Sequence, residues 1–413
     1  MLRLPHTLVL FLLLALAAAQ PTRVIAAEPF LEKIDLFEAG KLGYTLYHIP
    51  GVVVTAQGSV LAWCEARKTW GDWAAIDILL RRSTDDGRSW SEPKRIAEVP
   101  GPITKNPFAL AVKGVKAEDV TYNNPVLIAD RDGPVHCLFC VEYMRSFYMR
   151  SDDDGQSWTK PVEITSAFES FRSAYDWKVL ATGPDHSIQL RSGRLIVPVW
   201  LSTGTGGNAH RPSVTATIFS DDRGRTWQAG EIAVPCTDEW INPNETVAIE
   251  LADGRVMLNV RSESKAHRRL VTISPDGATG WSTPKFDETL AEPVCMAGIV
   301  RFSTAAGGDR NRILFSNPDN LTRADGTAMP GKFRDRRNMT VRLSYDEGQS
   351  WPVKKSVEPG WSAYSDIAVT KSGTILCFYG RGEKSGFAGD RLTVARFNLE
   401  WLTDGKDEPP TQP

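Results

Sequence analysis

Several things are scarce in this chain, and each scarcity narrows what it can be. An excess of one charge is lacking: 48 basic residues face 50 acidic ones, a formal balance of −2. Such a balance argues against a nucleic-acid surface or attachment to an anionic membrane. Cysteine is sparse, with six in 413 residues. That is compatible with an oxidising compartment but too few for a dense disulfide framework. Cys137 and Cys140 stand three apart, with no second such pair and no histidine cluster nearby. On a strand that spacing sends them to opposite faces, as buried apolar residues rather than metal ligands. Long apolar runs are missing beyond the start. The run Leu8 to Leu14, between Arg3 and Ala17-Ala18-Ala19, reads as a secretory signal peptide too short to favour a spanning helix. Cleavage is expected after Ala19 or Ala27, leaving residues 1–27 outside the fold and the mature chain secreted or periplasmic.

What the chain does have is repetition. Ser83 to Trp90, Ser151 to Trp158, Ser220 to Trp227 and Ser344 to Trp351 obey one rule: Ser, any, Asp, any, Gly, any, Ser or Thr, Trp. A degraded copy runs from Ser274 to Trp281, with Ala278 in the glycine place. The starts lie 68, 69, 54 and 70 residues apart, a period that signals a repeat architecture. The residue types suit a tight turn: Asp bonds the backbone just ahead of it, Gly accepts a positive φ, and Trp anchors the turn in a core. Their role is therefore structural.

Upstream of the octapeptides the chain repeats strand, glycine turn, strand. The turns fall at Gly58, Gly133, Gly193, Gly254, Gly307-Gly308 and Gly373, making six hairpins. A third strand leads into each octapeptide, and a fourth follows. Four strands per unit, arranged radially, predict an all-β six-bladed β-propeller of antiparallel blades over residues 28–403. After Phe397 too little chain remains for a fourth strand, so Leu31 to Leu36 are expected to close the ring. Residues 404–413, rich in Pro and charge, read as a flexible tail.

Alternating strand directions place the glycine and octapeptide turns on one rim. The loops into first strands, and those joining strands two and three, lie on the other, where a site is expected. That rim carries His48, Arg67, Asp72, Glu245, Arg261, Arg336 and Tyr364. Carboxylates, guanidinia and a phenol suit the holding of an anionic sugar and the cleavage of its glycosidic bond.

On these residues the chain, from about residue 40 to 400, resembles the bacterial sialidases (exo-neuraminidases), whose octapeptides are called Asp boxes and which remove terminal sialic acid from glycans. The resemblance implies Asp72, in Trp70-Gly71-Asp72-Trp73, as acid/base, Tyr364 as nucleophile, and Glu245 as the carboxylate that activates it. It implies Arg261 and Arg336 as two of three arginines gripping the substrate carboxylate. Arg336 is chosen over Arg337 because the family pattern reads Arg, any, Asn, and Asn338 follows. The chain departs from the family at the first arginine, where His48-Ile49-Pro50 replaces Arg-Ile-Pro. Arginine is a fixed planar cation, whereas histidine carries charge only when its pKa allows. Arg67, close by, is a candidate to compensate.

The implied activity is retaining, exo-α-sialidase-like hydrolysis through a tyrosine, the exception to the two-carboxylate rule, with no metal or organic cofactor. Three alternatives stand beside it. His48 could reshape the pocket for another acidic sugar such as a uronic acid. Tyr364 or His48 could act as the base of a lyase. The propeller could bind carbohydrate without catalysis, although a lectin needs neither an acid nor a nucleophile.

Overall fold

The computed structural model describes residues 27–112, 114–306, 309–323, 325–326, 335–383 and 389–407. These fold into six four-stranded antiparallel blades around one axis, as the repeat predicts. Blade 1 runs Leu46–Val54, Val60–Arg67, Ile76–Ser83 and Lys94–Arg95; blade 2 begins at Tyr122–Ala129 and ends at Val162–Glu163. Blade 4 runs Thr246–Glu250, Val256–Val260, Arg268–Ser274 and Lys285–Ala291. One strand, Val353–Val369, serves two blades: its first half pairs with Arg337–Ser344 of blade 5, its second with Ile375–Arg381 of blade 6. Leu31–Glu38 pairs antiparallel with Arg391–Phe397 and supplies the fourth strand of blade 6, closing the ring at the place the sequence suggests. Residues 1–26 of the expected signal segment, the turn at Gly307-Gly308 and residues 408–413 lie outside the described residues. Among the described residues no helix is long and apolar enough to cross a membrane.

Blade 3 differs from the sequence expectation. Its inner edge is broken into Val179–Thr182 and Ile188–Gln189, while Asp185–His186 between them pairs parallel with blade 2. Pro184 brings no N–H to a ladder, and Asp185 takes a left-handed backbone (φ 74°), so a continuous strand is interrupted here.

Strands buried on both faces build the core between blades, not within them. Leu61, Trp63, Cys137 and Phe139 pack between blades 1 and 2, and Cys140, Leu138, Leu195 and Val197 between blades 2 and 3. Cys137 and Cys140 thus face opposite cores, and all six cysteines are unpaired.

The octapeptides rivet neighbouring blades together. In the first, Gly87 N donates to Ser83 Oγ (2.9 Å), while Ser89 donates its N–H and Oγ–H to the two oxygens of Asp85 (2.9 and 2.6 Å). The pattern recurs at Ser151, Ser220 and Ser344. Each glycine presses on the preceding blade; a Cβ on Gly155 would lie 2.7 Å from Leu61 Cδ2. The degraded copy is one residue tighter. There Gly277 (φ 76°) is the left-handed residue, and its N–H reaches Ser274 Oγ three residues back instead of four. Ala278 is therefore not a substitute for the glycine, which has moved one place earlier.

The core between blades 5 and 6 has no octapeptide. A short helix, Leu399–Thr403, stands there and inserts Leu399, Trp401 and Leu402 into that core. Beyond it, Asp407 is buried against Arg312 (2.8 and 2.7 Å) and accepts from the Tyr345 hydroxyl (2.9 Å). The expectation of a loose tail from residue 404 is corrected as far as Asp407: its carboxylate answers a buried guanidinium, which composition alone does not reveal.

Candidate active site

The predicted rim carries a cavity of about 610 Å³, within the usual range for small-ligand sites. Strand irregularities aim its residues. In the inner strand of blade 1 the ladder shifts between His48 and Gly51, and in that of blade 6 between Ser362 and Ser365, on either side of Tyr364. Such bulges turn a side chain out of the pleat. Glu245 and Arg261 stand at the open end of one blade 4 hairpin, where Arg261 N donates to Glu245 O (3.0 Å). Below Tyr364, the Asp366 carboxylate accepts from the backbone N–H groups of Val52 (2.9 Å) and His186 (3.1 Å), tying this strand to blade 1 and to the chain between blades 2 and 3.

Tyr364, Glu245 and Arg261 form one hydrogen-bonded group. The Tyr364 hydroxyl donates to Glu245 Oε1 (2.7 Å), and Arg261 Nη1 donates both to Tyr364 Oη (2.5 Å) and to the other Glu245 oxygen. Burial pushes the phenol well above its usual range; Arg261 opposes that and Glu245 adds to it. Tyr364 is therefore a phenol at rest, with a carboxylate in place to take its proton. Arg336 lies over the Tyr364 ring (5.3 Å), donates to Val294 O (2.5 Å), and is not among the residues lining the cavity.

Asp72 is half-exposed in the cavity, and Arg67 donates to it at 2.8 Å. The rest of the Arg67 guanidinium is held by Glu65 (2.9 and 2.6 Å), which also accepts from Asn124 N (2.7 Å). Arg67 thus orients the Asp72 carboxylate rather than presenting a free fork to a substrate carboxylate. Burial alone would raise the Asp72 carboxyl, but Arg67 and His210 outweigh it and hold it at about 2. His48 is buried with its ring centroid 4.5 Å from that of Tyr364. Burial first, then Arg67 and Arg336, lower its proton affinity well below the ordinary histidine value. Burial is thus the first cause and like-charge repulsion the second.

Six of the seven sequence-derived residues line one cavity, and Arg336 packs behind Tyr364. The sequence reading missed Tyr143 and His210, which line the same cavity. Both sit in loops between second and third strands, the loop class already assigned to this rim, so the topology would have pointed to them.

A family model for a BNR repeat-like domain matches residues 105–377. The chain belongs to this BNR repeat family. It is 31% identical over 406 residues to a sialidase of Micromonospora viridifaciens, covering 94% of this chain and 58% of that protein. It is 23% identical over 437 residues to an exo-alpha-sialidase of Aspergillus fumigatus, covering 92% and 93%. Among solved structures, Hadza microbial sialidase Hz136 superposes with a TM-score of 0.70 at 25% identity, over 90% of this chain and 69% of that one. The chain spans about three-fifths of the length of the Micromonospora protein. Within the BNR repeat family, then, its fold is sialidase-like.

Proposed function

We propose that this chain is an exported, retaining exo-glycoside hydrolase that removes a terminal sialic acid or related nonulosonic acid through Tyr364. The observation that carries the reading is the Tyr364 hydroxyl bonded to Glu245 at 2.7 Å and to Arg261 at 2.5 Å, in a cavity shared with Asp72. Tyr364 attacks the anomeric carbon while its proton passes to Glu245, and Arg261 stabilises the developing phenolate. A neutral phenol suits a centre already bearing a carboxylate. Asp72 protonates the departing oxygen, then takes a proton from the water that releases the sugar. Arg261 and Arg336 supply the positive field for the substrate carboxylate, with His48 in the place of a third arginine.

A fluorinated sialoside that accumulates the covalent intermediate tests this, read by mass spectrometry of the digested protein. An adduct on Tyr364 is the expected result. An adduct on Glu245, inversion at the anomeric carbon, or an unsaturated product from a lyase would overturn it. Activity on a uronide with none on sialosides would transfer the mechanism to another acidic sugar, and saturable binding without turnover would leave a lectin. Export is proposed from the N-terminal apolar run, and N-terminal sequencing of the secreted protein checks it, with cleavage after Ala19 or Ala27 expected.

A further inference from the structure

One cavity residue has no part in the steps above. His210 lies in the glycine-rich loop of blade 3, which is clamped to blade 4 because Arg211 Nε donates to both oxygens of Glu263 (2.8 and 2.9 Å). Glu263 in turn accepts from Asn242 Nδ2 (2.9 Å). The His210 ring stands among Tyr143, Trp200 and Trp73, with centroids at 4.9, 5.3 and 5.6 Å. Its Nδ1 lies 4.0 Å from Asp72 Oδ2, and its Nε2 is buried without a hydrogen-bond partner. The carboxylate beside Nδ1 favours a hydrogen there, facing Asp72, so that when the ring takes up its second proton, on Nε2, the Nδ1–H becomes the acidic one. Asp72 meanwhile rests ionised between Arg67 and His210, yet an acid must bring a proton to the leaving oxygen.

Building on the hydrolase reading, we propose that His210 is the positioning residue through which Asp72 receives its proton and later returns it. As the glycosidic C–O bond breaks and the bond to the Tyr364 oxygen forms, the leaving oxygen takes a proton from Asp72. Asp72 takes one from the Nδ1 of protonated His210, once the 4.0 Å between them closes to a hydrogen bond or is bridged by one water, and the Tyr364 proton goes to Glu245. In the second half, water gives a proton to Asp72, which passes it to His210; Glu245 returns its proton to Tyr364 as that bond breaks, and nothing is oxidised or reduced. The groups facing His210 act in both directions. Burial, Arg211 and Arg261 weaken its hold on a proton, Asp72 and Glu245 strengthen it, and the net displacement is downward, burial being the largest cause. The rings of Tyr143, Trp73 and Trp200 pack around it.

His210→Phe keeps the aromatic packing and removes the proton site. The test compares kcat/KM on an aryl sialoside, whose phenol departs with little help, and on sialyllactose, whose alcohol needs a proton. The loss on sialyllactose is expected to exceed that on the aryl sialoside by roughly tenfold or more, within the range for general acid assistance. Equal losses, or a larger loss on the aryl substrate, overturn the proposal. The His210 ring is also titrated by NMR in the wild type and in Asp72→Asn, where a fall in its pKa is expected and an unchanged titration overturns the coupling. Should the wild type cleave neither sialoside, the hydrolase reading fails, and the titration still decides whether these two residues share a proton.

Discussion

A buried phenol is a poor nucleophile until something takes its proton, and in the proposed reaction that task at Tyr364 falls to Glu245, which already accepts its hydrogen bond. Replacing Glu245 by Gln keeps the shape and removes the base, so kcat is expected to fall about 10²–10⁴-fold, the usual worth of a positioned base. A loss below tenfold in single-turnover assays would mean that Tyr364 ionises by another route. His48 calls for a different measurement. It is neutral at neutral pH because burial and two arginines disfavour its cation. A bound carboxylate favours that cation, so ligand binding takes up a proton and tightens as pH falls. One linked proton allows at most about tenfold in Kd per pH unit. Calorimetry with a sialic-acid analogue between pH 5 and 8 should show this slope in the wild type and lose it in His48→Arg. A slope unchanged by that substitution would mean that His48 takes no part. At this scale the gathering of Tyr364, Glu245, Arg261 and Asp72 in one cavity was legible because the resemblance matches them one by one. The engagement of Arg67 with Glu65 was not, since a guanidinium's partner depends on what folds beside it.

The hairpin and its octapeptide form the unit of this architecture, and their legibility came from chemistry that repeats. Ser, Asp, Gly and Trp each answer one local demand, so their spacing betrays the turn without any knowledge of the ring. The broken inner edge of blade 3 was less visible, because a two-residue excursion to the neighbouring blade leaves no periodic trace. The one-residue contraction at Ser274 was hidden for a related reason: its Asp and Trp stay in place while the glycine shifts. At Gly155 the demands of turn and packing coincide, with φ at 82° and Leu61 against the missing Cβ. Gly155→Ala should destabilise the protein by about 2–4 kcal/mol, from ~1 for a left-handed alanine and 1–3 for overpacking. Denaturant melts read this, and kcat of the folded fraction should not change, since the turn lies on the rim opposite the cavity. In Gly155→Ala/Leu61→Ala the two costs should sum to less than their separate values, because the smaller residue vacates the space that the new methyl enters. Additive costs would show that strain in the turn, not contact with the preceding blade, makes the glycine necessary.

A ring of blades has a seam, and here both chain ends close it. Leu31–Glu38 completes blade 6, and the helix Leu399–Thr403 with Asp407 takes the place against blade 5 that an octapeptide holds elsewhere. The first closure was legible by counting strands. The second was not, because neither a helix nor a buried ion pair resembles the element it replaces. The seam bears on function, since the strand shared by blades 5 and 6 carries Tyr364 just past its crossing from one to the other. Loss of closure should therefore reach Tyr364 before it reaches Asp72 in blade 1. Asp407→Asn tests this with the smallest change. Arg312 is buried, and breaking such a pair costs about 3–5 kcal/mol. The cost should sit near the lower end, because Asp309 still accepts from Arg312 (2.5 Å). Hydrogen exchange read peptide by peptide should then show faster opening of 353–381 while the hairpin of blade 2 stays protected. Uniform loss of protection across all blades would instead mean that the ring melts as one unit, with no weaker seam.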